Sequence, residues 1–281
     1  MFFALIKSLL FLITRPLALY LIYPGAVAFL NDNEELEKSY EELIKSGGQE
    51  LVLETSDARK IEAMYFEAGE NTKGTVLFCL GNQMFLQNSN LYVDYYKKLG
   101  FNVMVFNYGG FAKSEGFPSA EKTFEDTETA YKYLKNNKNT KDEELIVHGF
   151  SLGGGPATYL ASKYPIHLVL DRSYAKIGNA TKIPLVGHLA NYLYPYDNQK
   201  RIKNVKGRIH FLEAIEDEMM GPENVENLLT EIQKNTNCDN ARKRFVTSFH
   251  GRHVDSIFRQ KRNGNSAPSD EFIEKFILHF G

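Results

Sequence analysis

At residues 144–163 the chain has the sequence ELIVHGFSLGGGPATYLASK. Its start is rich in apolar and β-branched side chains, which is typical of a strand buried in a sheet. Its end has the apolar spacing of a helix over Pro156–Lys163, and we expect the helix itself to run from Leu152 to Lys163. Between them lies a G-x-S-x-G pattern with Ser151 at its centre. Strand, pattern and helix in direct succession predict a nucleophile elbow, in which a sharp turn lifts a serine hydroxyl above the edge of a sheet.

The small residues around Ser151 have a steric purpose in such a turn. Glycines at 149 and 153 allow strand and helix to approach each other without Cβ clashes. The turn also places the serine at a helix amino terminus, where the backbone N–H of Leu152 can donate a hydrogen bond to an oxyanion. The alternative is a glycine-rich turn that closes an ordinary βα unit.

A serine hydroxyl needs a base, and the base needs an acid that orients it. After an elbow of this kind, the acid and then the histidine follow on loops beyond later strands. A predicted strand over Arg208–Leu212 leads into an acidic run at residues 213–218. We expect Asp217 to be the acid, and its competitors are Glu213, Glu216 and Glu218.

Two histidines follow the next predicted strand, which ends near Ser248. They are His250 and His253, and Gly251 stands between them. We expect His253 to be the base because it lies deeper in the loop, beyond the glycine. His250 is the alternative.

A second oxyanion donor is expected in the loop after the apolar run Thr75–Leu80. That loop begins with Gly81, which permits a close approach of the backbone. The backbone N–H of Asn82 or of Gln83 is the predicted donor.

The pattern around these residues predicts the fold class. Short apolar runs alternate with helical stretches from residue 75 onward, which is typical of a mostly parallel sheet with helices on both faces. Two alternating runs before it, Glu50–Thr55 and Lys60–Phe66, predict an antiparallel hairpin at one edge. The fold class is therefore α/β.

The amino terminus differs from the rest. Residues 1–30 are apolar and helical in character and carry only two charges, Lys7 and Arg15. A membrane anchor, spanning or interfacial, is the favoured interpretation; a cleaved signal and a helix packed on the body are the alternatives. We expect a helical linker at 31–48 and a main domain at 49–281. Residues 174–205 are expected to form a small cap, with Ile183, Leu185, Leu189, Tyr192 and Tyr194 as candidate pocket walls.

Composition excludes several classes of protein. A net charge of −2 gives no basic excess, so nucleic acid is not an expected partner. The only two cysteines, Cys79 and Cys238, cannot form a disulfide framework, and no metal-ligand spacing is present. We expect no metal and no cofactor. The sequence leaves the oligomeric state open.

Four stretches resemble the α/β-hydrolases of the bud-emergence-protein type and their bacterial relatives, which include a family named from chlamydiae. They are residues 80–82, residues 107–116 (NYGGFAKSEG), the elbow at 148–154, and the segment 194–205. Leu80 stands where these relatives usually have His, and Gly110 stands where Arg or another polar residue is frequent. The resemblance implies an α/β-hydrolase fold and a serine nucleophile, but it does not name a substrate.

From these residues and the resemblance we expect a serine hydrolase that cleaves acyl ester or thioester bonds through Ser151, His253 and Asp217. A lipid or an acylated protein is the expected substrate, and the expected location is at a membrane, or outside the cell if a signal is cleaved. The alternatives are a serine peptidase, an acyltransferase, or a silent membrane-associated interaction module.

Overall fold

Eight strands of the described chain form one sheet in the order β1-β2-β4-β3-β5-β6-β7-β8. The computed structural model describes residues 34–181, 183–234 and 244–255, and also residues 22, 23, 26, 257, 272, 276 and 277. The strands are β1 (Gln49–Glu54), β2 (Lys60–Phe66), β3 (Gly74–Cys79), β4 (Phe101–Phe106), β5 (Leu145–Phe150), β6 (His167–Asp171), β7 (Ile209–Ala214) and β8 (Arg244–Phe249).

The pairing confirms the predicted fold class. Strand β1 pairs with β2, and β2 with β4, in antiparallel fashion, which makes the predicted hairpin at one edge. Every pair from β4 through β3 and β5 to β8 is parallel. Strand β3 is buried along its whole length, as a central strand covered on both faces must be.

Within the described residues the helices are α1 (Glu34–Lys45), α2 (Asn90–Lys98), α3 (Ala120–Asn137), α4 (Gly154–Lys163), α5 (Pro184–Leu193), α6 (Asn198–Ile202) and α7 (Glu223–Gln233). The chain passes from β3 to β4 through α2 in one direction across the sheet, and from β4 to β5 through α3 in the other. Because parallel crossovers are right-handed, this reversal places α2 and α3 on opposite faces of the sheet.

The reversal also creates a crevice at the carboxyl ends of the central strands, where α/β proteins place their ligands. Strand β5 ends there at Phe150, and β6, β7 and β8 end in neighbouring loops. The elbow, the acidic loop and the histidine loop therefore meet at one edge of the sheet.

Two element boundaries differ from the sequence-based prediction. The predicted helix from Leu152 begins at Gly154, because residues Ser151–Gly153 form a tighter 3-10 turn. Strand β7 runs on to Ala214, because its pairing with β8 continues to Phe249. Glu213 is therefore part of a strand and not of the acidic loop.

The predicted apolar segment 1–30 lies outside the described residues except at positions 22, 23 and 26. In the part of the chain that is described, no helix is long and apolar enough to cross a bilayer. Helix α1 falls within the predicted linker 31–48. The domain limits stay a prediction.

Candidate active site

Ser151 lies at a strained turn directly after β5. Its φ is +49°, in the left-handed region that side chains other than glycine rarely adopt. A Cβ on Gly149 would lie 2.4 Å from the carbonyl oxygen of Gly153, and one on Gly153 would lie 2.1 Å from that of Cys79. Both approaches are to backbone atoms, which cannot move aside. The spacing of the two glycines is therefore a steric requirement of this turn.

The side chain of Ser151 begins a chain of hydrogen bonds to His253 and Asp217. Its Oγ lies 2.9 Å from His253 Nε2, and His253 Nδ1 lies 2.7 Å from Asp217 Oδ2. All three residues are buried. An ionised carboxylate only accepts hydrogen bonds, so this contact assigns the Nδ1–H tautomer to His253. Nε2 is then the acceptor for the serine hydroxyl.

Asp217 is held as an ionised acceptor. Its Oδ1 accepts hydrogen bonds from the backbone N–H groups of Met219 at 2.8 Å and Met220 at 2.7 Å. Burial by itself would raise the pKa of Asp217, but the hydrogen bonds from His253 and from these two N–H groups outweigh burial and lower that pKa. The carboxylate can therefore stabilise a cationic imidazole without taking its proton.

The competing acids and the competing histidine lie elsewhere. Glu213, in β7, accepts a hydrogen bond from Ser248 of β8. Glu216 contacts His250 Nδ1 at 3.2 Å, and the His250 side chain is 67% exposed. Glu218 is exposed. None of these residues is joined to Ser151 as His253 is.

Two of the three expected oxyanion residues border the cleft at Ser151. Asn82 and Leu152 line this cleft together with Ser151. The N–H of Gln83, at a φ of +61°, donates instead to Asn82 Oδ1 at 3.1 Å. The Asn82 side chain in turn donates to the carbonyl of Ile22 at 2.8 Å. Between the two alternatives left open by the sequence, this arrangement favours Asn82 as the donor.

Arg172 is a further residue of the site that the sequence reasoning missed. It follows β6 with a φ of +45° and is buried. Its Nη1 donates to the carbonyl of His253 at 3.0 Å and to that of Asp255. Its Nε donates to Asp171 Oδ1 at 2.7 Å, and its guanidinium lies 4.7 Å from the ring centroid of Phe150. Arg172 thereby ties the histidine loop to the central strands.

The two residues after Arg172 hold the elbow through hydrogen bonds to its backbone carbonyls. Ser173 Oγ donates to the carbonyl of Ser151 at 2.9 Å, and the Tyr174 hydroxyl donates to that of Leu152 at 3.1 Å. The sequence contained one signal for this cluster, since Asp171 and Arg172 form a charged pair at the end of a buried apolar strand. Such charges are rarely buried without a partner.

An apolar cleft of about 490 Å³ opens beside Ser151. Three of the five predicted wall residues, Ile183, Leu189 and Tyr194, line it, whereas Leu185 and Tyr192 are exposed and do not. The other lining residues are Ile22, Asn82, Leu152, Tyr174, Ile177, Ala180, Thr181, Val186, Ala190, Leu193, Met219 and Met220.

Two buried side chains near the elbow, His148 and Cys79, have pKa values that are shifted by burial. The Nδ1 atom of His148 lies 2.7 Å from the Tyr96 hydroxyl oxygen, and burial lowers the pKa of His148. Burial also raises the pKa of the Cys79 thiol to about 12. Among residues 34–181, 183–234 and 244–255, no three His, Cys, Asp or Glu side chains are grouped to hold a metal ion.

The chain is similar in sequence to several known proteins. Residues 51–162 match the family model described as Chlamydia CHLPS protein (DUF818). The human alpha/beta hydrolase domain-containing protein 17B is 25% identical over 68% of this chain, and the match spans 66% of that protein's length, slightly less than two thirds. An uncharacterized membrane protein of Saccharomyces cerevisiae is 25% identical over 75% of each chain.

The fold also matches solved structures. An esterase of Pyrococcus furiosus, Pf2001, superposes with a TM-score of 0.67 at 17% identity, over 85% of this chain and 94% of the esterase. The chlamydial family named in the resemblance is thus matched directly. The sheet order and the superposition on this esterase show that the chain has the α/β-hydrolase fold.

Proposed function

We propose that the chain is a serine hydrolase that cleaves acyl ester or thioester bonds. The observation that carries this proposal is the hydrogen-bonded chain from Ser151 through His253 to Asp217 at the mouth of an apolar cleft. Nucleophile, base and orienting acid each have a partner at normal hydrogen-bond length, which is the arrangement that acyl transfer by a serine requires.

In the first half-reaction Ser151 Oγ attacks the carbonyl carbon while its proton passes to His253 Nε2. The carbonyl oxygen becomes an oxyanion, to which the N–H groups of Leu152 and Asn82 donate. Loss of one such donor typically costs about 2.7–4 kcal/mol of barrier. The C–O or C–S bond then breaks, and the leaving alkoxide or thiolate takes the proton from His253.

In the second half-reaction water replaces the leaving group. His253 Nε2 takes a proton from water, the hydroxide attacks the acyl-enzyme, and the collapse of the second tetrahedral intermediate returns the proton to Ser151. Asp217 keeps the imidazole in one tautomer and stabilises its cation in both halves.

The cleft favours an acyl chain as the bound part of the substrate. Its walls are mostly aliphatic, with Ile177, Val186 and Leu189 among them, and such surfaces bind by burying apolar area. We propose a lipid or an acylated protein as the substrate. The human relative's name includes hydrolase and the Pyrococcus protein is described as an esterase, which agrees with this proposal.

We also propose that the chain is membrane-associated through residues 1–30. This segment carries only Lys7 and Arg15 as charges, and the relative in Saccharomyces cerevisiae is described as a membrane protein. A membrane location would bring the cleft close to lipid-borne acyl groups.

A panel of soluble esters and acyl thioesters, from acetyl to longer chains, tests the hydrolase proposal. We expect kcat/KM to rise about fourfold for each methylene that enters the cleft, because burial of a methylene contributes about 0.8 kcal/mol. Val186→Phe, which narrows the cleft, should move the preference to shorter chains, whereas Leu185→Phe, outside the lining, should not. Hydrolysis that persists in Ser151→Ala would contradict the proposal.

A further inference from the structure

The cap exposes several large apolar side chains, some of which also line the cleft. We call this surface the cap face and define it by Ile183, Leu185, Val186, Leu189 and Tyr192. Their exposed fractions range from 39% at Val186 to 80% at Leu185. Single exposed apolar residues need no explanation, but a contiguous group is typical of a surface that contacts a protein or a membrane.

The charge pattern of the cap favours a lipid surface. Helix α5 contains no Asp, Glu, Lys or Arg. The longer stretch 174–196 contains Lys176 and Lys182 but no carboxylate. An apolar helix preceded by lysines is compatible with a segment that lies in the bilayer interface, where each Lys near an anionic leaflet contributes about 1 kcal/mol.

The position of the cap face relative to the amino terminus points the same way. The chain joins the folded body next to the cap, because Ile22 lines the cleft with Ile183 and Val186. The Tyr23 hydroxyl lies 3.3 Å from that of Tyr196, which belongs to the predicted cap. The 21 residues before this junction are apolar, and both of their charges are basic. A bilayer that receives this segment would therefore also meet the cap face.

We propose that the cap face docks onto a lipid bilayer and turns the mouth of the cleft toward it. Residues 1–21 would then fix the chain at the membrane, and the cap face would set its orientation. Acyl groups would enter the cleft from the lipid without crossing bulk water. The docking surface is independent of the chemistry at Ser151, although its use for substrate entry rests on the proposed function.

The absence of tryptophan from the sequence allows a direct test. In the full-length Ser151→Ala chain, Leu185→Trp provides a single reporter on the cap face. Val52→Trp provides the matched control, because Val52 is 70% exposed but lies in β1 at the hairpin edge of the sheet. Fluorescence is recorded with and without vesicles of phosphatidylcholine and phosphatidylglycerol, and with brominated lipids as quenchers.

We expect the Leu185→Trp emission to shift to the blue on addition of vesicles and to be quenched by brominated lipid, whereas the Val52→Trp emission does neither. No shift in a chain that floats with the vesicles would overturn the proposal, since residues 1–21 would then bind alone. A blue-shifted emission before vesicles are added would also overturn it. A blue shift that depends on protein concentration would show that a second copy of the chain covers the cap face. A blue shift that does not depend on concentration would show that another part of the same chain covers it.

Activity gives a second readout in the Ser151 chain. Leu185→Asp should lower hydrolysis of a vesicle-borne ester about tenfold, as expected when one apolar anchor is lost, and leave hydrolysis of a soluble short-chain ester unchanged. Val52→Asp should change neither rate. Equal loss on both substrates would count against docking. If the unsubstituted chain hydrolysed neither substrate, the hydrolase proposal would be overturned, but the fluorescence test of docking would remain valid.

Discussion

The described contacts of Arg172 with the loop of the proposed base are to backbone carbonyls. Arg172 donates to the carbonyl of His253 and is itself held by Asp171. Arg172→Lys keeps the charge but removes the planar fork that reaches both partners. If the lost contact is worth about 1.5–3 kcal/mol and acts in the transition state, kcat should fall about 10- to 100-fold while KM changes little.

A matched control for this prediction is Arg201→Lys. Arg201 also donates to two carbonyls, those of Pro195 and Asp197, and lies 4.8 Å from the ring centroid of Phe124. None of the contacts described for Arg201 reaches the histidine loop. Steady-state kinetics and thermal unfolding should be measured together. Equal losses of kcat in both variants would show a general packing effect and contradict a positioning role for Arg172.

Asp217 should affect stability as well as catalysis. Its pKa is lowered in the folded chain, so its carboxylate stabilises the fold above about pH 4, the usual value for an unfolded Asp, and this contribution is lost as the pH falls through the folded-state pKa. Asp217→Asn should therefore lose less thermal stability than the unsubstituted chain when the pH is lowered from neutral to about 3. Its kcat at neutral pH should fall about 10⁴-fold.

Glu218→Gln is the control for the acid titration, because Glu218 is an exposed neighbour of Asp217. Its melting temperature should follow that of the unsubstituted chain across the whole pH range. Parallel curves for Asp217→Asn and the unsubstituted chain would show that Asp217 is not held as an ionised acceptor.

At this scale the sequence named three residues that the structure joins by hydrogen bonds, because elbow, acid and histidine follow a fixed order along the chain. Their catalytic roles stay a prediction. Arg172 could not be found in the same way. Its partners in the histidine loop are backbone carbonyls 81 and 83 residues further along the chain, and a carbonyl leaves no mark in a sequence.

The elbow makes a prediction at the scale of a structural element. Ser151 adopts a φ of +49°, which glycine adopts without penalty and alanine does not. Ser151→Gly should therefore be more stable than Ser151→Ala by about 1 kcal/mol, although both lack the nucleophile. Chemical denaturation of the two variants measures the difference.

Ser162, near the end of α4, provides the control for this comparison, because the order of stability of its Gly and Ala variants should be the opposite. Because glycine is less favourable than alanine in a helix by about 1 kcal/mol, Ser162→Gly should be the less stable of its pair. A Ser151 pair that behaves like the Ser162 pair would contradict the strained turn.

The boundaries of the elements were the less predictable part. The sequence placed the start of the helix at Leu152, but the strained turn continues through Gly153 before α4 begins. It ended β7 at Leu212, whereas pairing with β8 carries the strand to Ala214. Both differences arise from contacts between elements, which local periodicity does not encode.

At the scale of the whole molecule, the order of the strands brings the site together. The alternation of strands and helices was sufficient to predict the α/β class and the hairpin edge. The residues that line the cleft could not be predicted in the same way. Leu185 and Leu189 are equally apolar in the sequence, yet of the two only Leu189 lines the cleft, because the side of α5 that borders the cleft depends on contacts between elements.

The central claim is that Ser151 is a nucleophile activated by His253, and labelling with a fluorophosphonate probe tests it most directly. We predict strong labelling of the unsubstituted chain, none in Ser151→Ala, a large loss in His253→Ala, and full labelling in His250→Ala, whose side chain is 67% exposed. A folded chain that does not label, or one that labels equally well with His253 replaced, would contradict the account.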